Sequence, residues 1–183
     1  MPFYTKNNKT IFFSHIPKTG GSSVDRYLGQ AKYIRTFYGG SNTKSLQHRH
    51  TLDKDLIEEK SKYNIIYEFA VFRNPLERLL SEFFMRSVTH TNKTDTDFHN
   101  FAVNILNQYE LNNHINDNHI RPQSEFINEN MDIFKFNDWS TLIEKLKVFD
   151  IEFSDTFPHI NHATDYKNTL YFSSEILGWK PKK

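Results

Sequence analysis

The sequence predicts an α/β fold of three layers, with a central, mainly parallel sheet flanked by helices. Three observations carry that reading. Residues 10–14 are an apolar run that feeds straight into a glycine-bearing turn and then a segment of helical period. Residues 65–72 are almost continuously apolar, as a strand covered on both faces of a parallel sheet must be. Strand-like and helix-like segments alternate along the first half of the chain, and such alternation implies right-handed βαβ crossovers.

Each element has a local reason. Residues 22–30 form the helix after the first strand, closed by Gly29 or by the turn that follows. Residues 33–38 are a second β-type run, stopped by Gly39-Gly40. Residues 52–63 read as a helix capped by Thr51 or Asp53, with Leu52, Leu56 and Ile57 on one face. The strand at 65–72 ends at Arg73-Asn74. Pro75 then suits the first position of a helix through Met85, where its missing N–H has no helical partner to lose. In the second half, 98–109 and 139–149 are helical, the latter with Leu142, Ile143 and Leu146 turned inward, while 131–136 is a further strand and 112–118 a polar surface loop. No repeat, low-complexity tract or Pro/Gly/Ser linker divides the chain, so residues 1–183 read as a single domain.

At 183 residues the chain can bury a core without staples, and 17 Phe and 9 Tyr make that core aromatic. A net charge of +1 excludes global attraction to nucleic acid or to an anionic membrane. There is no cysteine, hence neither disulfide nor thiol chemistry. No apolar leader opens the chain, and no window reaches the roughly 18 apolar residues of a membrane span, which points to a soluble, cytoplasmic protein.

Three places carry chemistry. In His15-Ile-Pro-Lys-Thr-Gly-Gly-Ser-Ser23, Lys18 supplies a mobile cation. Gly20 and Gly21 let backbone N–H groups of 19–22 converge, Thr19 adds a hydroxyl, and Ser22 or Ser23 begins a helix whose positive end faces the same oxyanion. The order is not that of a Walker A loop, whose lysine follows its glycines. Arg73 stands at the carboxyl end of the buried strand, where open α/β sheets bind ligands, and its guanidinium can chelate phosphate oxygens. Ser81, two turns into the next helix, adds a hydroxyl donor. Between these lies Gln47-His48-Arg49-His50-Thr51. A neutral imidazole with a pKa of about 6.5 suits proton abstraction from a hydroxyl at pH 7, and in an extended segment His48 and His50 point the same way. The same pair also fits a surface loop, or half of a metal site for which no HExxH or cysteine-rich partner exists.

Taken together, the loop at 15–23, the Arg73-x7-Ser81 pattern and the His-x-His pair resemble the PAPS-dependent sulfotransferases of the carbohydrate type, similar to heparan and uronyl 2-O-sulfotransferases. The resemblance covers roughly residues 10–165. It implies a P-loop-like fold, with 3'-phosphoadenosine 5'-phosphosulfate (PAPS) as sulfuryl donor and no metal. The resemblance places Lys18, Thr19, Gly20, Gly21, Ser22 and Ser23 on the 5'-phosphosulfate, and Arg73 and Ser81 on the 3'-phosphate. It makes His48 or His50 the base, and Lys18 an aid to the leaving group. Looser matches imply Arg121 and Gln123 as contacts of a hydroxylated, saccharide-like acceptor and Asn161 as a donor contact. In-line sulfuryl transfer to a carbohydrate hydroxyl is the expected reaction. The alternatives are an ATP-dependent kinase of P-loop type, against which the loop order and the Arg73/Ser81 site count, and a catalytically inactive nucleotide-binding protein. The second is kept open by residues 171–183, which depart from the family pattern.

Overall fold

Strands β1 (Phe3–Lys6) and β2 (Lys9–Ser14) form an antiparallel hairpin in the computed structural model, which describes residues 1–36, 48–87 and 94–158. Its two-residue turn is Asn7-Asn8, with φ of 51° and 59°. Such a turn needs left-handed backbone at both positions, and asparagine tolerates it. After β2 come α1 (Gly21–Gln30), β3 (Ile34–Thr36), α2 (Lys54–Lys60), β4 (Ile65–Phe72) and α3 (Pro75–Arg86). They are followed by α4 (Asp95–Leu111), a short helical turn α5 (Ile115–Asn118), a 3-10 turn at Gln123–Phe126, β5 (Asp132–Lys135) and α6 (Trp139–Lys147).

The sheet has the order β3-β1-β2-β4-β5. β2 pairs parallel with β4 and β4 with β5, whereas β1 is antiparallel to both its neighbours. Among the described residues four strands therefore run one way and β1 alone opposes them. The expected βα unit from β2 through α1 to β3 is present, but β3 does not lie beside β2. The amino-terminal strand, too short and mixed to read from its sequence, occupies that place.

Both faces of the sheet are covered. Along β2, Ile11 and Phe13 point to one face and Phe12 to the other; along β4, Phe69 and Val71 oppose Ala70. The first face packs on Val24, Tyr27 and Leu28 of α1 and on Trp139, Leu142 and Leu146 of α6. The second meets Leu56 of α2 together with Phe3, Ile16 and Phe126. Phe83 and Phe84 of α3 form a third cluster with Phe98 of α4.

Helix ends follow their caps. Asn74 accepts from the N–H groups of Leu76 (3.0 Å) and Glu77 (3.3 Å) with Pro75 in the first turn, as the sequence predicts. Asp53 is the cap of α2, accepting from Leu56 N at 3.1 Å. That helix is shorter than expected and buries Leu56 only, since Leu52 and Ile57 are exposed. Thr51, the other candidate cap, is bonded to the Glu125 carbonyl through its N–H (2.9 Å) and its hydroxyl (3.1 Å). Asn161, Gly39-Gly40 and residues 171–183 lie outside the described residues.

Phe69 is fully buried, with its ring 5.0 Å from that of Phe13 and 6.1 Å from that of Phe134. Phe69→Ala is expected to lower stability by about 3–5 kcal/mol, seen as a lower urea midpoint at unchanged slope.

Candidate functional site

The loop after β2 is closed on itself. Thr19, fully buried, donates its hydroxyl to the Ile16 carbonyl at 2.9 Å, Lys18 takes the left-handed conformation with φ 68°, and Gly20 follows with φ 91°. Gly20 is the N-cap of α1, and its carbonyl accepts from Ser23 N (2.9 Å) and Val24 N (3.1 Å). A glycine cap offers no side chain to the first-turn N–H groups, so this helix start presents donors and a positive dipole end to the loop. Ser23 is buried and Ser22 exposed, and neither caps the helix.

The two glycines have a steric duty that their sequence does not announce. A Cβ on Gly21 would lie 1.8 Å from Nε2 of His15, and one on Gly20 would lie 2.9 Å from the Trp139 ring and 3.1 Å from that of Phe136. The loop is thus pressed between an imidazole and an aromatic wall.

Arg73 comes to the same loop from the end of β4. Its Nη1 donates to the Lys18 carbonyl at 3.3 Å, its Nε to Glu77 at 3.4 Å, and its guanidinium lies 4.4 Å from the centre of the Phe136 ring. Burial lowers the pKa of Arg73 and of Lys18, and for Lys18 the charges of Arg73 and Arg86 push the same way while Glu82 opposes. Two desolvated cations beside open helix donors make a pocket that favours an anion. Ser81 is half-buried on α3, on the helix that Arg73 precedes.

Gln123 and Arg121 are engaged in the scaffold. The Gln123 amide brackets the Arg73 backbone, accepting from its N–H at 3.0 Å and donating to its carbonyl at 2.8 Å. Arg121 is buried, with Nε on Asn118 at 3.1 Å and Nη1 on Glu125. Arg78, which the sequence reading did not single out, is buried and donates to three carbonyls: Pro17 at 2.9 Å, Arg121 at 3.0 Å and His119 at 2.5 Å. It ties the anion loop to the 119–121 segment, and burial brings its pKa down to about 10, still charged at neutral pH.

Behind the loop three imidazoles meet edge to face. The His48 ring is 4.7 Å from that of His15 and 4.9 Å from that of His119. His48 is buried, and its Nδ1 is 2.8 Å from a carboxylate oxygen of Asp117. Its own backbone is pinned as well, with the N–H on Asp117 at 3.3 Å and the carbonyl accepting from Asn118 at 2.7 Å. His119 repeats the arrangement, its Nδ1 lying 2.7 Å from Glu82, which is buried and also paired with Arg86. Burial lowers the His48 pKa against the opposing pull of Asp117, and burial holds His15 well below the ordinary histidine value. His50 is less enclosed and lies outside this cluster, its ring 6.0 Å from that of His114. The structure therefore separates the two histidines that an extended segment would have pointed together.

His48, Asp117 and His119 place one potential ligand atom each within 4.8 Å of one another, supplying the further groups that the His-x-His pair lacked in sequence. Both Nδ1 atoms already have a carboxylate partner at hydrogen-bond distance, so the cluster is accounted for as two carboxylate–imidazole dyads. Asp117 and Asn118 belong to the stretch expected as a surface loop. Asn116, Asp117 and Asn118 all have positive φ (53°, 57°, 63°), and the Asn/Asp-rich run that permits this is the signal present in the sequence.

A family model described as the sulfotransferase family matches residues 1–171. Comparison with curated proteins and with solved structures gave no match.

His15 and His48 generate a pH dependence of stability. The unfolded chain binds protons on these histidines below about pH 6.5, and the folded chain, with both values depressed, does not. The stability that these two histidines contribute is full above that value and falls as pH drops through it, and the buried Met1 amino group, its pKa lowered from 8.0 to about 5, adds a slope of the same sign. The thermal midpoint is expected to decline between pH 7 and 5.5, and His15→Gln to remove much of that slope.

Proposed function

This chain belongs to the sulfotransferase family, and from that premise we propose that it transfers the sulfuryl group of PAPS to a hydroxyl of a carbohydrate-like acceptor on a P-loop-like fold. The observation that carries the reading is the bond from Arg73 to the Lys18 carbonyl, 55 positions apart in sequence, which gathers two anion-binding cations at one loop. His15 of that same loop abuts His48. The donor set suits PAPS: Lys18 and the first-turn N–H groups of α1 offer one oxyanion site, and Arg73 with Ser81 on the adjoining helix offers another.

When bound, PAPS supplies the sulfuryl group and leaves as 3',5'-ADP. Lys18 stabilises negative charge at the loop, and its depressed pKa reflects a desolvated ammonium whose charge is weakly screened there. Arg73 orients by bidentate donation, with its backbone held on both sides by Gln123. His48 is the base. Asp117 engages Nδ1 and leaves Nε2 to take the hydroxyl proton, and burial keeps the imidazole neutral and ready at pH 7. His50 lies beside His114 instead and serves outside the proton transfer. Gln123 and Arg121 act through the residues they hold, without touching the acceptor.

Two measurements test this. Calorimetry is expected to show 3',5'-ADP binding without Mg2+ and more tightly than ADP. Arg73→Ala should remove most of that preference, a loss of about 2 kcal/mol or roughly thirty-fold. Equal affinity for the two nucleotides, or a requirement for Mg2+, would favour an ATP-type enzyme. Labelled-sulfate transfer to a panel of glycans is expected to fall by about 10²–10⁴ in His48→Ala and far less in His50→Ala. A chain that binds 3',5'-ADP and transfers nothing would be a nucleotide-binding protein without catalysis.

A further inference from the structure

We propose that His119, held by Glu82, is a proton-relay residue that takes the proton from His48 and delivers it to solvent. The inference rests on the reading of His48 as base.

His48 is poorly placed to lose a proton by itself. Its side chain is only 8% exposed, its Nδ1 is committed to Asp117, and its ring is enclosed by His15 on one side and His119 on the other. Of these two neighbours only His119 leads outward. His15 is packed against Gly21 and stacked on Phe13, on the anion side of the cluster. His119 lines an open groove with Leu79, Leu106 and Pro122, between α3 and α4. Its Nδ1 is bonded to Glu82, which leaves Nε2 free for exchange, and one ring nitrogen each of His48 and His119 lies, together with an Asp117 carboxylate oxygen, within 4.8 Å of the others. A gap of that size is one that a single bridging water can span, and the imidazoles and the Asp117 carboxylate offer it polar partners.

The electrostatics run in the same direction. Burial pushes the Glu82 carboxyl up, but the bonds from His119 and Arg86 outweigh it and keep it ionised. An ionised carboxylate on Nδ1 stabilises a transient imidazolium at His119. Arg86 pairs with the same Glu82 carboxylate. The charged and titratable groups around the path include His15, Asp117, Glu82, Arg86 and the buried Met1 amino group, whose charge disfavours protonation of His15 and His48. The transfer is balanced: the acceptor O–H bond breaks as Nε2 of His48 gains the proton, His48 returns to neutral as His119 gains it, and His119 returns to neutral as buffer or water in the groove removes it.

His119→Asn tests the relay, because the Asn amide occupies the place of Nδ1 and keeps the donor to Glu82 while deleting Nε2. The readout is release of 3',5'-ADP from PAPS with water as acceptor, and it needs no identified glycan. The expected result is a kcat lowered about ten-fold with unchanged KM for PAPS, substantial recovery as imidazole buffer is raised from millimolar to tenths of molar, and no buffer dependence in the parent chain. Thermal melting checks the fold. If His119→Asn does not fold, a solvent isotope experiment on the parent chain decides: a curved proton inventory supports two protons in motion, a linear one overturns the relay. Unchanged kcat in His119→Asn, or a loss that imidazole does not restore, overturns the relay while leaving His48 as base. A parent chain that releases no 3',5'-ADP from PAPS with water or with any glycan of the panel overturns the sulfotransferase reading and the relay with it.

Discussion

The guanidinium of Arg78 is the constraint on which the site depends. It is buried beneath the anion loop and donates to main-chain carbonyls of two segments that share no ladder: Pro17 before α1, and His119 and Arg121 before the 3-10 turn. Carbonyl dipoles satisfy its donors with no carboxylate among those bonds, and burial lowers its pKa only to about 10, so the charge survives at neutral pH. A neutral side chain there would leave buried acceptors without donors, at a cost of about 1–3 kcal/mol each. The position of the loop relative to His119 is thus set by one residue of α3.

Helix α3 supplies more than that residue. Arg78, Glu82 and Arg86 succeed one another at four-residue spacing and share one helix face. That single face holds the loop, orients His119 and balances the charge of Glu82. Phe83 and Phe84 bury a different face against α4, fixing the helix so that the polar face stays where it is.

Around the loop, opposite sides have different chemistry. Phe136 and Trp139 form an aromatic wall that abuts Gly20 and carries the Arg73 guanidinium, while His15 presses on Gly21 from the other side. Burial is the first cause that lowers the pKa of Lys18, Arg73, His15 and His48 alike. Burial strips the cations of hydration that an anion could replace, and it disfavours the charged form of the imidazoles.

Much of this was legible in the linear chain. Strand β4, the Asn74-Pro75 helix start and the inward face of α6 all follow from local pattern, because periodicity and capping act over a few residues. Strand β1 escaped notice since four residues carry too little periodicity, and its role as the one opposed strand follows from its partners on both sides. Gln123 and Arg121 read in sequence either as acceptor contacts or as parts of a satisfied loop, and in the fold their polar atoms bond to Arg73, Asn118 and Glu125. The sequence by itself determined the alternation of strand and helix and the placing of a lysine, two glycines and hydroxyls in the loop between β2 and α1. The tertiary structure alone decided which histidine is enclosed and which carboxylates serve it. Asp117 reaches His48 across 69 positions and Glu82 reaches His119 across 37, and no local rule of spacing encodes contacts made by chain segments that meet only after the core has closed.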